Sequence, residues 1–241
     1  MTTFSTKAAL ADARLQAGAR WIGMQRRYFD TREYIRAKRE TLDMSENRAR
    51  GALFVHVPKC AGTTIARQVP ITHGHRSAEF FKWRDPALFD SCFTFGITRN
   101  PYDRLVSAFH YLRSDQTSKR DGEWGRRNLS QFPDFYAFMA ALSHRGERNR
   151  LLGWLHFLPQ TYYLCDAGNR VLVDYVGKTE TFSDDIEQIN ARTGLGIENQ
   201  RQRAVSRSPY KEFYSNETAR LVDQIYADDF RVFGYDTEHD F

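Results

Sequence analysis

"FVHVPKCAGTT", residues 54 to 64, passes from an apolar, β-rich run into a turn of Pro58, Lys59, Cys60, Ala61 and Gly62 and ends on Thr63 and Thr64. Together with Ala52 and Leu53, the apolar run has the make-up of a short strand, and "TTIARQV" after it can open a helix. Strand, glycine-bearing loop and helix in that order suit an anion. Unpaired backbone N–H groups collect at the helix start, the helix dipole adds positive potential, Lys59 brings a full charge, and the two threonines bring hydroxyl donors. A tetrahedral oxyanion is the expected ligand. The GxxxxGK[ST] pattern of a triphosphate cradle is absent, because the lysine stands ahead of the glycine.

The same grammar recurs at "SCFTFGI" (91–97), followed by "TRNPYDRLVSAFHYLR". Asn100 sits where an N-cap belongs, Pro101 at the first helical position and Asp103 in the first turn, which predicts a helix start. Leu105, Phe109 and Leu112 follow at i, i+4 and i+7 and predict a buried stripe. Arg99 at the strand end and Ser107 two turns into the helix form a second candidate anion site, since arginine grips a phosphate through two parallel hydrogen bonds. Further along, "QFPDFYAFMAALSHR" has helical spacing. "RVLVDYVGK" (170–178) predicts a third strand, and "SDDIEQINART" a short helix capped by Ser183. One last helix is expected from Ser215 or Asn216 to just before Gly234. The polar stretch "DQTSKRDGEWGRRN" (115–128) lacks an apolar period and is expected as an exposed loop or lid. Alternating strands and helices imply an α/β fold with a parallel sheet, whose ligands bind at the C-terminal strand ends.

The chain of 241 residues is long enough for one sizeable core. Hydrophobic residues at 41% and charged residues at 27% describe a soluble globular protein and exclude wholesale disorder. No apolar run approaches the roughly 20 residues that span a bilayer. Lys7, Asp12, Arg14 and Arg20 interrupt any signal-peptide core. A cytoplasmic location is therefore expected, with no transmembrane segment and no nucleic-acid partner. Cys60, Cys92 and Cys165 are too few and scattered for a disulfide framework, and no CxxC pair suggests a metal. The net charge of +5 is concentrated in residues 1–50, which hold eleven Lys or Arg against six Asp or Glu. The chain thus divides into a basic helical extension, 1–50, and a domain, 51–241. The extension reads as a solvated helix, with contact to an acidic glycan, an anionic membrane surface or a partner as the alternative.

Two of these motifs carry a resemblance to a known group. "HVPKCAGTT" resembles the 5′-phosphosulfate loop of sulfotransferases and "ITRNPYDRLVSAF" their 3′-phosphate motif. "HFLPQTYYLCD", "VDYVGKTE" and "YADDFRVFGY" are similar to further signatures of the carbohydrate sulfotransferases, found in bacteria and in the animal Golgi. The likeness runs from about Leu53 to Tyr235. It implies a P-loop NTPase-like three-layer fold and a donor, 3′-phosphoadenosine 5′-phosphosulfate. The donor's phosphosulfate would lie against Lys59, Cys60, Ala61, Gly62, Thr63 and Thr64, and its 3′-phosphate against Arg99 and Ser107. No metal is implied. A loop after residue 200 closes over the nucleotide in related enzymes, which makes Arg203 and Ser206 candidate contacts.

Transfer to an acceptor hydroxyl needs charge stabilisation at the leaving oxygen, a role for Lys59, and a base. "PITHGHRSAEFF" offers His73, His75 and Glu79, of which the imidazoles suit a base at neutral pH. The resemblance places the base in this segment, and the GH dipeptide with small residues after it favours His75. His156 and Gln160 of "HFLPQ" either shape the acceptor wall or satisfy buried polar groups. His56 reads as a packed strand histidine, His110 as one on the surface or just behind the site, and Lys178 with Glu180 as a structural ion-pair position. Cys60 stands where relatives carry threonine and contributes chiefly its backbone N–H. As a nucleophile it would need a depressed pKa. The acceptor is a glycan or a small hydroxylated metabolite, and the oligomeric state is left open. A nucleotide or small-molecule kinase of similar fold is the runner-up, followed by a non-catalytic nucleotide- or glycan-binding module.

Overall fold

The structure, a computed structural model, describes residues 31–71, 74–199, 208–238 and 241. Helix α1 covers 31–39 and α2 Ser45–Arg50, ahead of strand β1, Ala52–Val55. The chain continues through α3 (Gly62–Ala66), α4 (Ala78–Arg84) and α5 (Pro86–Ser91) to β2 (Phe93–Thr98). Helices α6 (Pro101–Arg113), α7 (Lys119–Leu129), α8 (Phe135–Leu142), α9 (Arg145–Leu152) and α10 (Gln160–Leu164) precede β3 (Tyr175–Lys178). Helix α11 (Phe182–Thr193), a 3₁₀ turn at Tyr210–Phe213, α12 (Asn216–Ile225) and α13 (Ala227–Phe233) complete the described elements.

The three strands form one parallel sheet in the order β1-β2-β3, with Phe54 opposite Phe95 and Phe95 opposite Tyr175. Successive strand residues point to opposite faces, yet all four residues of β1 are buried, so both faces are covered. A side chain at Gly96 would strike Leu164 of α10, whereas one at Gly177 would strike Ile97 and Asp185 of α11. Ile97 pairs with Gly177 and follows Gly96 in the same strand, which puts α10 and α11 on opposite faces. The result is an α/β arrangement of a small parallel sheet flanked by helices. Ala37, Met44 and Asn47, all ahead of Gly51, are buried in this packing. The Asn47 amide donates to Ala52 O and Ile71 O, which ties α2 to the start of β1. A second apolar cluster joins α6, α8, α12 and α13 through Phe109, Phe138, Val222 and Phe230.

The predicted start of α6 is present: Asn100 Oδ1 accepts from Tyr102 N, and Pro101 opens the helix. Four expectations are corrected. The stretch 115–128, expected as an exposed loop or lid, contains α7, capped by Ser118. Its buried face consists of Asp121, Gly122, Gly125 and Leu129, and the two glycines let its backbone press against Leu112 and Thr117. A face whose one large apolar side chain is Leu129 carries no hydrophobic period. The third strand is shorter than 170–178: Asp174 Oδ2 takes the N–H of Thr94 and ends the ladder, and Val171 pairs instead with Cys165. Thr181, not Ser183, stands at the N-cap of α11. The last helix breaks at Tyr226, where φ is −113°, because the buried Tyr226 hydroxyl donates to Phe157 O and the following turn aims Asp229 at α10.

Candidate functional site

The loop between β1 and α3 departs from ordinary backbone at two positions. Lys59 has φ 67° and Ala61 φ 56°, both in the left-handed region. Each costs about 1 kcal/mol or more for a residue with a Cβ and persists only when its surroundings enforce it. Arg104, 2% exposed, supplies part of that enforcement, donating from Nε to Pro58 O and from Nη2 to His156 O and Leu158 O. Gly62 is required for a different reason. A Cβ there would stand 2.0 Å from the His56 ring, so the imidazole lies directly on the glycine. Thr63 is exposed, while Thr64 is buried and donates its N–H to Ala61 O.

Cys60 is fully buried, and its thiol donates to Gln160 Oε1 at 3.2 Å. Burial pushes that thiol up to about 12, against the opposing pull of Arg104 and Arg99, which leaves it a protonated hydrogen-bond donor rather than a nucleophile. Gln160 Oε1 also accepts from Arg99 N at 2.8 Å, and Gln160 Nε2 donates to Arg99 O at 2.8 Å. Gln160 is held in turn by Asp229, whose carboxylate accepts the N–H groups of Gln160 and Thr161.

Arg99 is the meeting point of the two sequence motifs. Its Nη1 donates to Lys59 O at 3.3 Å, and its Nε and Nη2 donate to Asp103 Oδ2 at 2.8 and 2.6 Å. Ser107 is half-buried and lies one turn beyond Asp103 on α6. Lys178 and Glu180 do not form the expected ion pair. Glu180 accepts from Asn100 N and the Tyr235 hydroxyl, while Lys178 Nζ donates to Gly234 O.

Three imidazoles gather beside the loop. The His56 and His75 rings are 4.3 Å apart between centroids, and His75 and His156 are 5.6 Å apart. His75 Nδ1 lies 3.1 Å from His56 O. A carbonyl only accepts, so this contact assigns the proton to Nδ1 and leaves the lone pair on Nε2. Burial pulls His75 down to about 4 and His56 to about 3. His156, 3% exposed, is lowered by burial too. Its Nε2 lies 3.2 Å from Asp121 Oδ2, but at an angle that forms no proper hydrogen bond. Asp121 resists burial, which alone would raise it. The nearby His156 ring and the hydroxyls of Ser118 and Tyr111, at 2.8 and 3.3 Å, hold it at about 2.

His73, Arg203 and Ser206 lie outside the described residues. His110 is exposed, as expected. Tyr111, Asp121 and Arg104 were not singled out in the sequence. Asp121 sits in the stretch that reads as a loop, and Arg104 interrupts an apolar stripe with nothing to mark it as buried. Among the described residues no group of three His, Cys, Asp or Glu side chains is placed to hold a metal ion, and no helix is long and apolar enough to cross a membrane.

Residues 44–236 match the model of the sulfotransferase family, well over half of the chain. The chain belongs to the sulfotransferase family. The match opens inside the segment ahead of Gly51, at the start of α2, and takes in both anion motifs and all three strands of this sulfotransferase. Membership supports sulfuryl transfer as its activity and implies an acceptor substrate. No curated protein and no solved structure matches the sulfotransferase chain.

Proposed function

We propose that this sulfotransferase uses 3′-phosphoadenosine 5′-phosphosulfate as donor and a hydroxyl of a carbohydrate or another hydroxylated molecule as acceptor, on a P-loop-like frame. The observation that carries the reading is the bond from Arg99 to Lys59 O, which joins the two anion motifs at the C-terminal ends of β1 and β2. A guanidinium on one side and an ammonium with backbone N–H groups on the other fit a ligand with two separate anionic ends. The loop Lys59–Thr64 would hold the phosphosulfate, and Arg99 with Ser107 the 3′-phosphate, which then shares the guanidinium with Asp103.

The donor supplies the sulfuryl group. An S–O bond forms to the acceptor while the S–O bond to the 5′-phosphate breaks, and in-line positioning with charge stabilisation lowers the barrier. Lys59 neutralises charge growing on the departing oxygen. His75 is neutral at physiological pH, and its Nε2 lone pair takes the acceptor proton.

Titration with adenosine 3′,5′-bisphosphate and with ATP plus magnesium separates this reading from a kinase. The bisphosphate should bind, and binding of the ATP complex alone overturns the reading. Lys59→Ala should fold normally and lose at least about 100-fold in turnover. Unchanged turnover removes the role assigned to Lys59. His75→Ala should lose about 100-fold or more while still binding the bisphosphate, and failure of binding would make His75 a structural residue.

A further inference from the structure

Asp103, Ser107 and Tyr111 recur at four-residue spacing and so lie along one face of α6. Arg99 is fixed to the first of them, and the Lys59 ammonium stands 3.8 Å from the centre of the Tyr111 ring at the other end of the row. Lys59 therefore has its backbone carbonyl on Arg99 and its side-chain ammonium on Tyr111. We propose that Tyr111 is a positioning residue for Lys59: its ring face is the resting place of the ammonium and aims it along this face of α6. The proposal rests on the reading of Lys59 as the group that meets the leaving oxygen.

Three features make the ring suited to this. A lysine side chain has four rotatable bonds, and an aromatic face restricts them by attracting the cation while bringing no counter-charge of its own. A carboxylate in the same place would form a pair that the anion must break. The ring itself is fixed at its far end, where the Tyr111 hydroxyl donates to Asp121 Oδ2 and accepts from Ser118 N. That fixing point belongs to the start of α7, so α7 carries the ring's anchor. His156 lies against the other parts of the same assembly, 5.0 Å from the Tyr111 ring and 3.2 Å from Asp121. The face that would steer the departing charge and the imidazoles that would take the proton thus share one support.

The test has two arms. In the first, lysines are reductively ¹³C-dimethylated, which keeps their charge, and the Lys59 signal is assigned by its absence in K59R. In the wild-type chain that signal should lie upfield of the lysines that stand on no ring, shifted by the ring current of Tyr111. The shift should persist in Tyr111→Phe and vanish in Tyr111→Leu. A wild-type signal at the position of solvent-exposed lysines overturns the proposal, whatever becomes of the variants. In the second arm, Tyr111→Leu should lower kcat about tenfold with bisphosphate affinity within about twofold, and Tyr111→Phe should recover most of that loss. Equal losses in both variants, or none in Tyr111→Leu, overturn it as well. The first arm needs no turnover, so it stands even if the donor or acceptor has been misassigned.

Discussion

Gly62 shows how a glycine can be needed in the loop between β1 and α3 without any special backbone angle. The positive φ values fall on Lys59 and Ala61, and Gly62 instead yields its side-chain space to His56. Gly62→Ala should therefore destabilise the chain by about 1–3 kcal/mol through overpacking. His56→Ala should cost less in the Gly62→Ala background than alone, since removing the ring there also removes the clash. Chemical denaturation of the double-mutant cycle measures this, and strict additivity would show that ring and glycine do not press on each other. At this scale the sequence was informative wherever a residue's job is local. Asn100 announces its cap by its place before a proline, while Lys59, Gly62 and Arg99 read by type and position as candidates. Cys60 was only half readable, because its thiol finds its partner, Gln160, a hundred residues away. Tyr111 was unreadable for the same reason: a tyrosine in a helical stripe gives no sign that a lysine ammonium rests on it.

Among the described residues, α6 and α7 make the closest approach between elements that the glycines reveal. A Cβ at Gly125 would come within 1.9 Å of the Leu112 carbonyl oxygen, which is backbone and cannot swing away. Gly125→Ala should separate the two helices, costing about 3 kcal/mol or more and drawing Asp121 from His156 and Tyr111. Gly146→Ala in α9, where a methyl meets nothing within 4 Å, should be neutral or stabilising by about 0.5 kcal/mol. Thermal unfolding of the two variants checks the contrast, and a similar response from both would deny the close packing of α7. The same contact explains why α7 was misread. Helical periodicity is a pattern of large apolar residues, and a helix that docks through two glycines and a buried aspartate, with Leu129 alone at its end, shows none. Where helices dock through side chains, as α6 does with Leu105, Phe109 and Leu112, the period was legible and correct.

For the whole molecule, the gathered imidazoles set how stability responds to acid. His56 and His75 titrate near 3 and 4 when folded, against an ordinary 6.5, so between those values the unfolded chain binds protons that the folded chain refuses. Stability should be level above about pH 6.5 and fall as the pH drops from there toward 4, each unit of depression being worth about 1.4 kcal/mol. Asp121, held at about 2 against an ordinary 3.8, adds a loss that sets in only below its unfolded value. Denaturation midpoints at pH 7.5, 6 and 5 test this, and a flat response across that interval would mean the rings are open to water. The global layout, a parallel sheet covered by helices with anion motifs at its C-terminal edge, followed from the alternation of elements. What lay beyond the sequence was the set of ties between distant segments. Gln160 is the plainest of them. With both amide atoms on the main chain of Arg99, it does for that residue what a neighbouring strand does for a residue inside the sheet. Arg99 is thereby ordered as part of folding, one step past the last residue of β2. In the proposed donor complex the 3′-phosphate would meet an Arg99 whose backbone is already ordered, so less of its binding energy would go into ordering that residue.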